Sequence, residues 1–534
     1  MKKLISLLLL LIVLSNCSFD NKTGIWKDSA ENVISKNIKD IRKSNKNKNV
    51  KPVKLQDVFT ERKIFEEEKI ANLSLKILID KSEKNLDWQQ QYSNLNNNIS
   101  NIYFFNKNNL IYKSKKLGKK STFQSVISNK VLIFSDRAGS ISGFSLDKKN
   151  KIFEYNFYKN KYKKHDKEIY LIASKGRVYA ADNFGYIYSL DLQKQKVIWA
   201  KNFGIPFRSN IKIIDNNLIL ANQDNTIFSI NSFTGKINWK LDTTITTLQT
   251  DFINSIVIDK NNKSILYLNT SGEFYSINYK TAKLNWILNF GIRTEGSNTN
   301  LFRSLPLTIK NNHILISAQN NFSKYNITTG QKVWTIPVSV NIKPVITSKN
   351  IFLFTKNNLL VCLNSESGEI LWSRNIFKLK NAEDGVKIKK SFKPKLMSPI
   401  AGIKALNRSN REKLEIKKSK SNKKDKTTSF FKNPLKALNK SNKAKLELGK
   451  DVEEGIFKNP LKLDERYGTI NHLYMAASKL LLFTSEGNLM FFNPNSGKLS
   501  FSTKLANSMS ENSPMFADGS LYFFDNKTRL YQYE

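Results

Sequence analysis

The feature that most constrains this chain is a short phrase written repeatedly along it. "FTGKINW" runs from Phe233 to Trp239, "TTGQKVW" ends at Trp334, "ESGEILW" ends at Trp372, and looser copies end at Trp286 and Trp199. Aligned on the terminal aromatic, seven units end at Tyr155, Trp199, Trp239, Trp286, Trp334, Trp372 and Phe501. Up to Trp372 they are spaced 44, 40, 47, 48 and 38 residues apart. Nine residues before each aromatic stands an apolar or aromatic residue: Leu146, Leu190, Ile230, Ile277, Tyr325, Leu363 and Phe492. Eight before it stands Asp147, Asp191, Asn231, Asn278, Asn326, Asn364 or Asn493. Agreement in all seven units exceeds what an Asn-rich composition gives by chance.

Each part of the phrase has a mechanical reading. An apolar, β-branched run such as "TIFSI" reads as a strand, and the Asp or Asn at its end can bond the backbone two residues on and open a turn. Gly235, Gly330, Gly368 and Gly497 sit four before the aromatic, where a hairpin built on a type I turn wants a positive φ. Upstream, "LILANQDNTIFSI" reads as a second hairpin turning at "NQDN", and "RSNIKII" supplies a further strand. Four antiparallel strands per forty-odd residues, repeated seven or more times, predict an all-β fold: an eight-bladed β-propeller of four-stranded antiparallel blades. A solenoid is the competing architecture. The tail "GSLYFFDNKTRLYQYE" reads as part of an eighth blade lacking its last strand, which residues of about 100 to 120 are expected to supply, closing the ring. The aromatics are expected to fill the gaps between blades as structural docking residues.

The ends and one interior stretch fall outside the repeat. Lys2 and Lys3 precede an apolar run, Leu4 to Leu14, too short to span a bilayer and suited to a secretory leader. The predicted organisation is a leader over 1–16, a polar tether over 17–85, the first part of the propeller over 86–376, a Lys-rich and disordered insertion over 377–467, and the final blades over 468–534. Within the tether, Val58 to Asp80 has the charge and apolar spacing of a short helix, or a helix and a strand. The insertion writes "FKNPLK" twice, at 431–436 and 457–462, either as a tandem motif for an anionic surface or acidic partner or as a duplicated linker. Lys and Arg number 87 against 44 Asp and Glu, a formal charge of +43. In a cell that balance points to nucleic acid, but export removes such a partner and leaves anionic lipid, an acidic protein, or compositional bias.

The leader ends in "LSNC", which resembles the lipobox of bacterial lipoproteins. The resemblance implies cleavage before Cys17 and its acylation, including a palmitate, and Ser18 then implies the outer membrane. An ordinary leader with an incidental cysteine is the alternative. The only other cysteine is Cys362, read as an inert core thiol.

The Asp or Asn, Thr-Gly or Ser-Gly, then Trp pattern resembles the tryptophan-docking repeats of pyrroloquinoline-quinone (PQQ) type propellers. With the lipobox, and with "LDWQQQYSNLNNNIS" at 86–100 as a lead-in, the chain is similar to the BamB family of outer-membrane assembly lipoproteins. The resemblance covers residues 86–376 and 468–534. It implies a non-catalytic scaffold in outer-membrane protein assembly and protein insertion into the membrane. That scaffold binds the POTRA domains of BamA and other Bam complex subunits, assists unfolded outer-membrane protein clients, and needs no cofactor. The matching partner-binding loops place Leu248, Gln249 and Asp251 in "TTLQTDF" and Phe302 and Arg303 in "NLFRSLP".

Two other classes share the repeat. A PQQ-dependent quinoprotein needs a carboxylate base, calcium ligands and commonly adjacent cysteines, and the last are missing from the sequence. His165, His313 and His472 have no HxxxH or HExxH spacing, and Asp136 and Asp182 sit at expected turns. No catalytic or metal residue is therefore assigned. A glycan- or peptidoglycan-binding propeller could use Tyr186, Tyr188 and Phe228, although at strand spacing such aromatics read as core.

Overall fold

The computed structural model describes residues 65, 67–72, 76–158, 162, 164–246, 252–291, 302–377 and 467–534, together with two strands near the N-terminus. Those strands, Cys17–Asp20 and Ile25–Asp28, pair antiparallel with Cys17 opposite Asp28, in a unit of their own. In the larger unit the strands form eight four-stranded antiparallel sheets. Blades one to seven occupy 122–156, 169–202, 212–241, 255–289, 308–336, 345–375 and 470–504. The eighth takes three strands from 515–533, and its outermost strand is Leu110–Lys116, antiparallel to Arg529–Tyr533. The two ends of the propeller sequence thus share one sheet, and the ring is closed by main-chain hydrogen bonds.

The strands of a blade differ in burial because they differ in radius. First strands face each other around the axis. Second and third strands are sandwiched between neighbouring blades, so "SILYL" at Ser264–Leu268 and "LLVCLN" at Leu359–Asn364 are apolar on both faces and almost wholly buried. Outer strands alternate: in Ile237–Leu241 only Trp239 and Leu241 turn partly inward. In blades two to seven the third strand ends in an Asx turn. In blade three, Asn231 Oδ1 accepts from Phe233 N at 3.0 Å and Thr234 N at 3.1 Å, and Gly235 N donates to Asn231 O at 2.8 Å. A β-bulge follows beside the aromatic, between Ser229 and Ile230 here and at the corresponding site of the other intact repeats.

The bulge carries each tryptophan over the turn of the next blade. The indole Nε1 of Trp199 donates to Ser232 O at 3.0 Å, Trp286 to Ile327 O at 2.9 Å, Trp334 to Ser365 O at 3.2 Å and Trp372 to Pro494 O at 2.9 Å. The turn glycine beneath must lack a side chain: a Cβ on Gly235 would lie 2.7 Å from the Trp199 ring, and one on Gly497 2.5 Å from Trp372. Trp239 meets a turn whose left-handed residue is Ala282, at φ 57°, and packs in the same cluster as Tyr279.

Two of the seven aromatics are placed differently from the sequence expectation. In blade one Gly143 pairs with Phe153, as Ser229 pairs with Trp239, so Phe153 rather than Tyr155 holds the docking register. The turn there is opened by Ser145, whose Oγ accepts from Lys148 N at 3.1 Å, with Lys149 at positive φ in the glycine position. Leu146–Asp147 imitates the repeat two residues late. Phe501 is 43% exposed, because the eighth blade borrows its outer strand and so has no turn between third and fourth strands to receive it.

The stretch expected as tether reaches the ring earlier than read. Described residues between 65 and 80 hold no helical turn. Lys69 instead forms a bridge with Ser373 on the outer edge of blade six, Lys69 N to Ser373 O at 3.2 Å and Ser373 N to Lys69 O at 2.9 Å. Phe65 and Ile77 are buried beside blades five to seven. An open sheet edge satisfies that backbone as a helix would have done. The leader and both FKNPLK motifs lie outside the described residues.

Candidate functional site: a plugged axial funnel and its rim

The lead-in visits all eight blades in order. Trp88 and Ile127 of blade one exchange backbone bonds of 2.8 and 2.9 Å, and Ala173 N of blade two donates to Gln89 O at 2.8 Å. Ile258 N of blade four bonds Leu95 O, and Ile309 N of blade five bonds Asn96 O. Asn98 pairs both ways with Ile346 of blade six, Ile102 N bonds Met475 O of blade seven, and Phe105 N bonds Gly519 O of blade eight. Blade three contributes a side chain: Lys212 Nζ donates to Asn94 O at 2.8 Å and Asn97 Oδ1 at 2.6 Å. The segment therefore plugs one end of the axis, turning sharply at Tyr92 and Ser93, which sit at φ 60° and 71°.

Three lysines, two on inner strands and Lys343 just before one, grip the plug. Besides Lys212, Lys343 Nζ bonds Asn97 O at 2.9 Å, and Lys310 bonds Ser100 Oγ at 2.6 Å and Asp80 at 3.0 Å. Lys212 is completely buried, and burial pushes its ammonium well below the usual lysine value. Lys343 keeps part of its area open, but its ammonium is enclosed and burial lowers it to about 8. These residues were missed from sequence. The available signal was "NIK", written at Asn210–Lys212, where it runs into an inner strand, and again at Asn341–Lys343, just before one.

Opposite the plug the axis opens as a funnel of about 580 Å³. Its lining includes Phe123, Gln124, Arg137, Glu168, Tyr170 and Arg208, with Trp88 and Tyr92 from the lead-in and Glu511 to Ser513 from the approach to blade eight. Arg137 Nη1 donates to Glu168 Oε1 at 3.0 Å, and its guanidinium lies 5.4 Å from the Phe123 ring centre. The funnel tests whether PQQ suits this ring. That cofactor is a polycarboxylate, whereas the two lining arginines are matched by two glutamates. Cys362 is buried in blade six, and the sequence holds no adjacent pair of cysteines. Among the described residues no three His, Cys, Asp or Glu side chains gather where they could hold a metal ion. The residues present do not fit the group.

On the rim, Phe252 and Phe302 pack edge-to-face with centres 5.6 Å apart, joining the connections into blades four and five. Phe302 is thereby a core residue, 7% exposed, and is not free to meet a partner as the sequence reading had it. Arg303 beside it is exposed. Leu248, Gln249 and Asp251 lie outside the described residues.

The other singled-out residues are structural. Tyr188 is fully buried and stacks on Phe157 at 4.8 Å, and Phe228 is buried against Phe203 and Phe207. Asp136 and Asp182 each open the turn between second and third strands, Asp182 Oδ1 accepting from Phe184 N at 2.8 Å and Tyr186 N at 2.9 Å. Asp182 Oδ2 is buried without a partner, and burial outweighs those amide bonds to raise the carboxyl to about 7. His165, His313 and His472 occupy separate blades or connections.

Residues 138–374 match the family model described as outer membrane protein assembly factor BamB. An uncharacterized protein of Rickettsia conorii is 22% identical over 334 residues, 59% of this chain and 75% of that protein. Among solved structures, BamB from Moraxella catarrhalis aligns at TM-score 0.53 and 10% identity, covering 80% of this chain and 99% of its own. A quinohaemoprotein alcohol dehydrogenase from Comamonas testosteroni aligns at TM-score 0.50 and 9% identity, covering 84% and 80%. A quinohaemoprotein alcohol dehydrogenase from Pseudomonas putida gives 0.53 and 8% over the same shares. The ring is a BamB-like propeller of the PQQ-repeat type, and the solved structures attest its fold.

Proposed function

We propose that this chain is a non-catalytic scaffold lipoprotein of the outer-membrane β-barrel assembly complex. In this reading acylated Cys17 holds it on the periplasmic face of the outer membrane, and loops on the rim dock on the POTRA domains of BamA. There it assists assembly and insertion of β-barrel clients. The observation that carries the reading is the match of residues 138–374, blades one to six, to the BamB family model. The Phe252–Phe302 contact supports it, because it ties the loops after blades three and four into one surface with Arg303 at its edge. The quinoprotein reading shares only the fold, and its cofactor does not fit the balanced charge of the funnel. The Lys-rich insertion over 377–467 is an accessory contact for an anionic surface.

The test is a mild-detergent pull-down of tagged protein from native membranes, with Arg303→Glu and Leu248→Glu alongside. Recovery of BamA by the parent and loss in the variants is the expected result. Absence of every barrel-assembly subunit from the parent sample would overturn the scaffold reading.

A further inference from the structure

We propose that the axial funnel binds a neutral oligosaccharide. This does not rest on the scaffold reading: the funnel wall used here belongs to blades one, two and eight, whereas the Phe252–Phe302 corner belongs to the connections into blades four and five.

Four observations converge. The funnel, at about 580 Å³, falls within the size range of small-molecule sites. Its charge is balanced, with Arg137 already bonded to Glu168 at 3.0 Å, so it offers hydrogen-bonding groups of both kinds without net charge. A polyol, which donates and accepts at each hydroxyl, suits such a wall, and a polyanion meets the glutamates. One wall hydroxyl is waiting for a partner. Thr122 is 6% exposed and lines the funnel, yet its Oγ1 is buried with no hydrogen bond, and such a group costs stability unless something pairs it. Finally, aromatic faces lead outward from the cavity. Phe123 and Tyr170 meet edge-to-face at 5.2 Å in its lining, and beyond the lining Tyr162, 43% exposed, stacks on Phe184 at 4.4 Å. The Tyr162 loop is tied to the funnel, since Lys167 N bonds Arg137 O at 3.0 Å and Lys167 Nζ bonds His165 O at 2.8 Å. The C–H face of a pyranose is apolar and packs on such rings, while its edge hydroxyls reach the polar wall. A chain of sugars could therefore enter the funnel at one end and lie across Tyr162 with the other.

Isothermal titration of the full-length protein in mild detergent with chitotetraose, a neutral β-linked tetramer, tests this, with tetragalacturonate as its acidic counterpart. Three variants accompany it: Tyr162→Ala beyond the lining, Ser513→Trp to fill the cavity, and Thr122→Val to remove the orphan hydroxyl at nearly constant shape. We expect the parent to bind chitotetraose and not the acidic tetramer. Loss of one stacking ring should weaken binding about ten-fold in Tyr162→Ala. Ser513→Trp should abolish binding with an unchanged melting temperature, and Thr122→Val should weaken it several-fold. No binding by the parent at millimolar sugar, tighter binding of the acidic tetramer, or full affinity in Ser513→Trp would each overturn the proposal. If Ser513→Trp lowers the melting temperature, Thr122→Val decides alone, and unchanged affinity there overturns it.

Discussion

Lys212 Nζ stands 2.6 Å from Asn97 Oδ1, joining the inner strand of blade three to a segment more than a hundred residues earlier in the chain. The same ammonium holds Asn94 O, so its removal orphans the buried Asn97 Oδ1 and leaves Asn94 O only the Asn97 N–H at 3.4 Å. We expect Lys212→Met to lower stability by about 1 to 3 kcal/mol, the cost of leaving a buried polar group unpaired, partly offset by relief of a buried charge. Urea melts measure the total. Hydrogen exchange should show protection lost first over residues 94–98, and a uniform loss around the ring would contradict a local clamp.

The same lysines give stability a pH dependence of definite sign. A lysine whose folded value lies below its unfolded one binds fewer protons when folded, so stability rises with pH between the two values. With Lys343 at about 8 and Lys212 displaced in the same direction, the window opens near pH 8 and runs towards the ordinary lysine value. Above about pH 10 the buried tyrosines, Tyr170 and Tyr188 among them, reverse the trend, because burial raises their folded values. Thermal melts should therefore climb between about pH 8 and 10, and the Lys212→Met, Lys343→Met double variant should flatten that climb.

The docking residue of blade one is Phe153, which is 9% exposed, whereas Tyr155 is only half-buried. Its ring occupies the place of a side chain at Gly143, where a Cβ would come within 2.1 Å of it. Phe153→Ala should cost about 3 kcal/mol or more, as other buried ring truncations do, and Tyr155→Ala clearly less. Equal melting shifts in the two variants would return the register to Tyr155.

How much of this was legible in the sequence depends on whether the chemistry was local. The Asx turn at Asn231, the glycine under the tryptophan and the strand beside it lie within nine residues, so repetition exposed them, and the ring with its borrowed closing strand followed. The first phrase misled because Ser145 can open the turn as Asn does, while Leu146–Asp147 copies the motif two residues on. The plug was illegible: most of its contacts are backbone bonds to blades far apart in sequence, and a lysine such as Lys212 reads as surface until its partner is known. Phe302 was misplaced for a similar reason. A loop position gives no sign that Phe252, across a separate connection, will bury it.

Asp182 is a buried carboxyl without a counter-charge, and its effect on stability can be signed. Its folded value, about 7, lies above the ordinary aspartate value of 3.8, with burial the cause. A raised carboxyl contributes stability that is fully present below the unfolded value and is lost as pH rises through the folded one. At neutral pH and above, the native state must therefore hold an ionised Oδ2 that has no partner. The corresponding turns of blades three and four use amides: Asn222 Oδ1 accepts from Thr226 N at 2.9 Å, and Asn269 Oδ1 from Ser271 N at 3.1 Å and Glu273 N at 2.9 Å. Asp182→Asn keeps the turn-forming oxygen and removes the charge. It should melt higher than the parent at pH 8, by a free energy of at least about 1 kcal/mol, and the advantage should shrink to nothing near pH 4. The measurement is the difference between the two melting curves across that range. A constant difference would mean that Asp182 does not titrate there, and a lower melting temperature for Asp182→Asn at pH 8 would mean that the ionised carboxylate is held by the fold.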